Sequence, residues 1–322
     1  MTLSVVIVIA SDTVRRPPHA GHLRVCLQGL RAQRGAPALD VVVPHLPGVR
    51  GLDELAREFP EIRFLEISDL PRLSRSPYRD HHDDLRSRGI RVTTGPLLAL
   101  LEDHEVPDPH WAAGIVAAHA ANSRAAIGGV IENAIDRPLN NAVWLCDFAN
   151  YLHPIPEGLS SVASDVNVSY RREALEDVRD GWHGRFNERR VHEALLARGH
   201  RLALARGIVV YQRRVGLGAG EALVERFTWG RSYAATRAET WGIARRLLYA
   251  IGAVALPVAL VARITRTIVA RGRLSSAVVA ALPWIAVLSV AWSLGECVGY
   301  ISRHESRRGI AAGTQMGSVQ TS

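Results

Sequence analysis

The chain has 322 residues, 48% of them hydrophobic, and a formal net charge of +8. All 39 basic residues are arginines, and they are spread along the chain without interleaved aromatic residues, which argues against a nucleic-acid partner. The three cysteines have no short spacing between them, so a disulfide framework and a cysteine-rich zinc site are excluded. Basic charge that flanks apolar segments near the C-terminus instead indicates contact with anionic lipid headgroups.

The first apolar segment, residues 3–10, is rich in β-branched residues and predicts a buried strand. It is too short for a secretory signal and no basic region precedes it. Ser11 and Asp12 follow directly. A turn or a helix N-cap is the interpretation that the pattern favours for both residues.

Strand-like and helix-like segments then alternate along the chain. Helical spacing covers residues 22–33, 52–59 and 111–121, and strand patterns cover residues 39–43, 62–67, 97–101 and 126–131. This order predicts an α/β fold with right-handed βαβ units and a mostly parallel sheet flanked by helices. Ligands bind to such sheets at the carboxyl ends of the strands.

The strand predicted at residues 97–101 stops abruptly at Glu102, Asp103 and His104. Carboxylate and imidazole ligands at the carboxyl end of a strand suit a divalent cation that holds a phosphorylated substrate. A solvated acidic turn after a core strand explains the same residues. Pro107 and Pro109 are expected to end strand pairing here.

A second group of histidines and aspartates occupies residues 79–84. It is compatible with another metal site, and a solvated loop or exposed helix face is the plainer interpretation of so polar a segment.

A further helix is predicted at residues 187–198, with Asn187 as its N-cap and Gly199 at its end. Glu188 falls in the first turn of this helix, at the rim of the predicted cleft. The alternative is that Glu188 only stabilises the helix N-terminus through its charge.

The last quarter of the chain is apolar. Residues 227–241 resemble an interfacial helix, and about sixteen and about twenty-five apolar residues follow at 247–262 and 277–301. Roughly twenty residues span a bilayer, so the second segment is long enough and the first is marginal. Arginines between the segments conflict with the positive-inside rule for a hairpin. An in-plane first segment and two buried helices of a soluble domain therefore stay open.

Over roughly residues 3–302 the chain resembles glycosyltransferase family 2, the inverting, metal-dependent group with the GT-A fold. The motifs that carry the resemblance are Glu102 to His104 with Pro107, Pro109 and Trp111; Asp165, Asn167, Tyr170, Arg171 and Arg172; Asn187 and Glu188 with their helix; and Gly295, Glu296, Gly299 and Tyr300. The resemblance implies a GT-A catalytic domain at residues 1–215, interfacial helices at 216–244, two membrane-associated helices at 245–303 and a disordered tail at 304–322.

The resemblance also implies roles for particular residues. Glu102, Asp103 and His104 would bind the metal, with Mn²⁺ favoured and Mg²⁺ possible, because imidazole is a poor ligand for Mg²⁺. Glu188 would be the general base. The residues implied to contact the nucleotide are Ser11, Asp12, His45, Asp103 and Asn167. His45 follows Pro44 where the family often has an aspartate pair that reads the base.

Together these features predict a membrane-associated inverting glycosyltransferase at the cytoplasmic face of the cell membrane. It would transfer a sugar from a nucleotide sugar to a lipid-linked or cell-envelope acceptor. One alternative is a catalytically silent membrane scaffold with the same fold. Another is a nucleotidyltransferase, although the chain lacks the glycine-rich, lysine-bearing activation loop expected for that reaction.

Overall fold

A computed structural model describes residues 2–10, 19–70 and 78–302. Ser11, Asp12 and the predicted tail at residues 304–322 lie outside these described residues. Within them, the strands are β1 (Thr2–Val8), β2 (Ala38–His45), β3 (Arg63–Glu66), β4 (Leu97–Glu102), β5 (Glu105–Pro107), β6 (Ala126–Asn133), β7 (Gly158–Ser160), β8 (Val168–Arg171) and β9 (Leu202–Gln212). The helices are α1 (Leu23–Arg31), α2 (Leu52–Glu58), α3 (Tyr78–Arg91), α4 (Trp111–Ala121), α5 (Pro138–Phe148), α6 (Arg172–Asp177), α7 (Glu188–Ala197), α8 (Ala219–Arg237), α9 (Ile243–Gly252), α10 (Leu256–Ala270) and α11 (Ser276–Ile301).

The strands form one sheet in the order β3-β2-β1-β4-β8-β6-β9-β5, with β7 paired to β9. The first four strands are parallel, and β8 runs antiparallel to both of its neighbours, β4 and β6. The α/β prediction is confirmed, while the far half of the sheet is mixed because β5, β7 and β8 enter it antiparallel. The parallel half brings the carboxyl ends of β1, β2 and β4 to one edge.

Strand β4 lies at the centre of the hydrophobic core. Leu98, Ala99, Leu100 and Leu101 are fully buried, as is most of β1 beside it. A continuous apolar run without polar alternation is what a strand covered on both faces requires. The prediction of a buried strand at residues 97–101 is confirmed, and it fixes the position of the polar residues that follow.

The expectation that Pro107 ends strand pairing is wrong. Glu105–Pro107 forms β5, which pairs antiparallel with β9 so that Pro107 stands opposite Val210. Strand β5 is the last in the sheet order, and proline is tolerated at such an edge because its missing N–H is not needed by a further neighbour. After the turn that follows Glu102, the chain therefore enters the same sheet again as β5, beside β9.

Residues 81–84 of the polar segment lie in a buried part of helix α3, not in a solvated loop or on an exposed face. His81, His82, Asp83, Arg86 and Ser87 of α3 are all at most 3% exposed. Buried polar groups are tolerated where partners satisfy them. The Ser87 hydroxyl, for example, donates to the His183 carbonyl oxygen at 2.7 Å.

Helix α7 begins and ends as predicted. The Asn187 side chain accepts a hydrogen bond from the Arg190 backbone N–H at 3.2 Å, which makes it the N-cap. Gly199 follows the helix with φ +81°, a left-handed conformation that glycine adopts without strain. The cap places Glu188 at the first helical position.

The C-terminal helices are longer than the apolar pattern indicates. A short 3₁₀ turn, Ala253–Ala255, joins α9 to α10, so that Ile243–Ala270 is continuously helical over 28 residues. By length and composition alone, this segment and α11 are each long and apolar enough to cross a membrane. Core helices of soluble proteins share this length and composition.

Candidate active site

The candidate site lies where β1 and β4 end. The parallel register sets Val8 of β1 opposite Glu102 of β4, and one backbone bond and one backbone-to-side-chain bond continue the contact beyond the strands. The Asp103 N–H donates to the Val8 carbonyl oxygen at 3.0 Å, and the Ala10 N–H donates to Asp103 Oδ1 at 2.9 Å. On the other side, the Arg213 N–H donates to the His104 carbonyl oxygen at 2.7 Å. Main-chain bonds thus hold the turn from Glu102 to Glu105 at both ends.

His104 is surrounded by three carboxyl groups. Its Nδ1 lies 3.4 Å from Asp103 Oδ1, and its Nε2 lies 3.8 Å from Glu102 Oε2 and 3.5 Å from Glu105 Oε1. Asp103 is fully buried behind the ring, which is the geometry of a carboxylate that orients a histidine ligand. With Nδ1–H directed to Asp103, Nε2 faces the two glutamates.

Burial and charge both change the proton affinities of this cluster. Burial alone would lower the pKa of His104, but the bond to Asp103 and the charges of the glutamates outweigh it and raise the pKa to about 9. Burial raises the pKa of Glu105 to about 8, even though His104 opposes that shift. Neither carboxylate oxygen of Glu105 has a hydrogen-bond partner. Such a concentration of poorly solvated carboxylates favours a bound cation or proton.

Arg86 connects this cluster to Asp165, which precedes β8. Its guanidinium, 3% exposed, contacts Glu102 Oε1 at 2.7 Å and Asp165 Oδ2 at 2.6 Å, with Asp83 Oδ1 at 3.9 Å. Burial would lower the pKa of Arg86, and the surrounding carboxylates raise it above its ordinary value, so the residue stays charged. Arg86 was not predicted from the sequence; the available signal was its position three residues after Asp83 on one helical face.

Glu188 joins the same network. The Asp165 N–H donates to Glu188 Oε2 at 3.1 Å, so one chain of contacts runs from Glu102 through Arg86 and Asp165 to Glu188. The structure therefore brings together the predicted metal ligands and the predicted base, which are far apart in sequence. Asp165 was part of the motif that carried the family resemblance, but was not among the predicted site residues.

His45 and Asn167 were also predicted to contact the nucleotide, and one lies at the edge of the sheet while the other lies in the core. His45 ends β2 at the same edge of the sheet, 9% exposed, with Nδ1 donating to the Leu46 carbonyl oxygen at 3.0 Å. Asn167 is 1% exposed, and its amide donates to the Val130 and Ile208 carbonyl oxygens while accepting from the Trp111 indole. The Asn167 side chain is thus directed into the core, where it joins three elements, rather than into the cleft.

The described residues contain no group of three or more His, Cys, Asp and Glu side chains already arranged as metal ligands. Glu102 and Asp103 instead contact Arg86 and the Ala10 backbone. The chemistry of the donors nevertheless fits a cation such as Mn²⁺, which accepts both carboxylate and imidazole. The unpartnered Glu105 carboxylate, 3.5 Å from His104, is the structural observation that favours such a fit.

A cavity of about 860 Å³ opens beside Glu188, between α7 and α8. We call it the α7/α8 groove; the residues that line it are Ser161, Val162, Asn187, Glu188, Arg189, Arg190, His192, Glu193, Leu196, Ser232, Tyr233, Thr236, Arg237, Trp241 and Arg245. Four arginines against two glutamates give its walls a net positive charge. The Arg245 guanidinium lies 4.1 Å from the centre of the Trp241 ring.

Comparison with known proteins identifies relatives by structure and not by sequence. No protein-family model and no curated protein sequence matches the chain. Among solved structures, the mannosyltransferase PcManGT from Pyrobaculum calidifontis, in complex with GDP-Man and Mn²⁺, has a TM-score of 0.52 at 15% identity, over 91% of this chain and 86% of that one. TarS 1-349 from S. aureus has a TM-score of 0.48 at 10% identity, over 92% of each chain. The likeness to PcManGT shows the fold: the chain has the GT-A fold that the family resemblance implied.

Proposed function

We propose that the chain is an inverting glycosyltransferase that moves a sugar from a nucleotide sugar to a lipid-linked or cell-envelope acceptor at the cytoplasmic face of the cell membrane. The observation that carries the proposal is the contact path from Glu102 to Glu188 through Arg86 and Asp165. It connects the cluster of carboxylates and imidazole at the end of β4 to the carboxylate of Glu188. The GT-A fold and the GDP-Man in its structural relative support the same reaction class.

Glu188 is the proposed general base. In the reaction, the acceptor hydroxyl gives its proton to the Glu188 carboxylate while its oxygen forms a bond to the anomeric carbon. The bond from that carbon to the diphosphate oxygen breaks on the opposite side, so the configuration inverts. The bond from the Asp165 N–H to Oε2 fixes the carboxylate, and the α7/α8 groove gives an acceptor access to it.

The proposed metal ligands are Glu102 and His104, with Asp103 behind them to orient the imidazole. A bound Mn²⁺ would offset the charge that develops on the departing diphosphate. Among the protein's own groups, Arg86 neutralises Glu102 and holds its carboxylate through the contact at 2.7 Å. Ser11 and Asp12 come after β1 in the chain and His45 is the last residue of β2, and these three remain the proposed nucleotide contacts.

The α7/α8 groove supports an anionic acceptor. Arg237 and Arg245 lie around Trp241 at its outer end, and α9, which carries Arg245, presents an exposed apolar surface directly beyond. A molecule with a phosphate and a hydrocarbon tail would meet positive charge in the groove and an apolar surface outside it. We therefore place a lipid-linked acceptor here, with its head group near Glu188.

The experiment has a binding arm and a transfer arm. Calorimetric titration of the detergent-solubilised chain with nucleoside diphosphates should show Mn²⁺-dependent binding of one nucleotide, lost in a Glu102→Ala, His104→Ala variant. Transfer from the matching nucleotide sugar should fall by at least 10²-fold in Glu188→Gln, as expected for loss of a general base, while nucleotide binding persists. Glu193→Gln is the matched control, since Glu193 lies on the same helix, lines the same groove and is 61% exposed.

Each outcome has a defined meaning. If no nucleotide binds under any metal condition, the catalytic proposal fails and the scaffold interpretation replaces it. Release of inorganic diphosphate instead of a nucleoside diphosphate would identify a nucleotidyltransferase.

A further inference from the structure

The apolar helix α11 lies flat against the catalytic domain. Towards its N-terminus, Ala277 and Val278 line one cavity with Trp144 and Leu145 of α5. Its second half packs against α8 at backbone distance: methyl groups at Gly295 and Gly299 would overlap the carbonyl oxygens of Phe227 and Arg231. Helix α11 therefore has folded protein beside it over most of its 26 residues, about 39 Å.

The connection between α10 and α11 is also bound to the catalytic domain. Arg271 donates to the backbone carbonyl oxygens of Asn150 and Leu152, the former at 2.8 Å. Arg273 forms an ion pair with Glu132 at 2.8 Å, at the end of β6. In a hairpin that crossed a membrane, this connection would lie on the far side of the bilayer from the catalytic domain. The observed contacts require both on one side.

The helices beside α11 are too polar for the bilayer interior. Helix α8 carries Arg226, which forms an ion pair with Asp147 of α5, and Glu225, which binds Arg214 through two contacts of 2.7 and 2.8 Å. A bilayer centred on α11 would enclose these charges, and charged side chains at that depth are costly. The charged residues of α8 and α5, which pack beside α11, are thus incompatible with an α11 that spans a membrane.

The outer face of the same helices is apolar. Its exposed large hydrophobic residues are Ile243, Leu247, Leu248, Ile251, Val254, Val258, Val269, Leu274, Val279, Val287, Val290, Leu294, Val298 and Ile301. Apolar surface of this extent on a soluble monomer marks a binding surface. Residues 243–301 contain six arginines and one acidic residue, Glu296, which is buried against Trp292. A positive charge around an apolar face is complementary to an anionic lipid surface.

We propose that α9, α10 and α11 lie in the plane of the membrane and insert this outer face into one leaflet, without crossing it. The partner is a lipid surface that contains anionic headgroups. This inference stands without the proposed glycosyl transfer, because it depends only on the packing and exposure of the helices. If transfer is also correct, Trp241 and Arg245 bring the α7/α8 groove to headgroup level.

The proposal is tested directly by measuring on which side of the membrane three positions of the chain are accessible. In a Cys26→Ala, Cys146→Ala, Cys297→Ala background, single cysteines are introduced by Leu159→Cys on the catalytic domain, Ser276→Cys directly after the α10–α11 connection and Ser302→Cys after α11. Leu159 is 63% exposed, and Ser276 is an exposed polar residue that does not belong to the apolar outer face. A membrane-impermeant maleimide is added to spheroplasts and to inverted vesicles, with detergent-opened samples as the reference for full labelling.

The in-plane arrangement requires all three positions to react from the same side. Protection of Ser276→Cys alone on that side would show a spanning hairpin, and protection of Ser302→Cys alone would show a single crossing by α11. Either of these two results overturns the proposal.

Vesicle flotation tests the lipid partner with the purified full-length chain. It should float with phosphatidylglycerol vesicles more than with phosphatidylcholine vesicles. Ile251→Glu should weaken partitioning by at least about tenfold, because it replaces a buried apolar contact with a charge. Leu159→Glu is the matched control and should float like the wild type. A stable dimer that does not float would assign the apolar face to a second copy of the chain and refute the proposal.

Discussion

Replacing Arg86 with methionine tests whether the cleft depends on one buried cation. Methionine keeps most of the side-chain length and removes the charge, which leaves Glu102 and Asp165 without their partner at 2.7 and 2.6 Å. Removing one member of a buried ion pair typically costs 3–5 kcal/mol, because the remaining charge stays buried. For a chain of this size about 2 °C corresponds to 1 kcal/mol, so Arg86→Met should lower the unfolding midpoint by roughly 6–10 °C.

A surface pair of the same length provides the control. Arg63 contacts Asp40 at 2.6 Å, but its side chain is 49% exposed, whereas that of Arg86 is 3% exposed. Exposed pairs contribute at most about 1 kcal/mol, so Arg63→Met should shift the midpoint by no more than about 2 °C. Because the ion-pair distances match, the difference between the two variants measures the effect of burial.

The double variant Arg86→Met, Asp165→Asn isolates the pairwise contribution. Neutralising Asp165 as well removes one uncompensated charge, so the double variant should be more stable than the sum of the two single effects by about 2 kcal/mol. Midpoints are measured by intrinsic tryptophan fluorescence in one detergent at one heating rate. The reasoning is wrong if Arg86→Met unfolds no earlier than Arg63→Met, or if the two substitutions are additive.

Three further predictions concern packing, buried polar groups and pH. Gly295→Ala should separate α8 from α11 and lower the unfolding midpoint by several degrees, because the added methyl group would overlap the Phe227 carbonyl oxygen. Gly252→Ala is the control and should leave the midpoint unchanged, because the space that its added methyl group would occupy is open. Asn167→Leu leaves two buried carbonyl oxygens and an indole N–H unpaired, and should cost roughly 3 kcal/mol in chemical unfolding; a stable variant would show that water replaces the amide. Burial lowers the pKa of His119 to about 4, so the unfolded chain binds a proton that the folded chain does not as pH falls from about 6.5 to 4. Stability should therefore decrease by up to about 3 kcal/mol across that window, and His119→Gln should lose less; equal pH dependence in both proteins would contradict the assignment.

The parts of the fold that follow local rules could be predicted from the sequence. The apolar run at residues 97–101 required a strand buried on both faces, and Asn187 and Gly199 marked the two ends of α7. Each of these features depends on neighbours along the chain. The turn at Glu102 was recognisable for the same reason, because the apolar run stops there.

The rest depends on contacts that sequence spacing does not show. Arg86 is buried only because Asp165, 79 residues later, and Glu102 neutralise it, so its segment was interpreted as solvated. Asn167 was expected near the nucleotide, but its partners lie on β6, β9 and α4, which direct the amide inward. Strand β5 has three residues and a proline, too short for any periodic pattern.

The turn after β4 is held almost entirely by its main chain, and this has an evolutionary consequence. The Asp103 N–H donates to the Val8 carbonyl oxygen, and the Arg213 N–H donates to the His104 carbonyl oxygen. Both bonds join peptide groups, so any residue type can accept at these positions and any except proline can donate. The side chain at position 104 can therefore be exchanged without loss of the fold, whereas position 102 needs a carboxylate that pairs with Arg86. Position 103 is equally restricted, because its carboxylate accepts the Ala10 N–H. Substitution should thus be tolerated by the fold at residue 104 and resisted at residues 102 and 103.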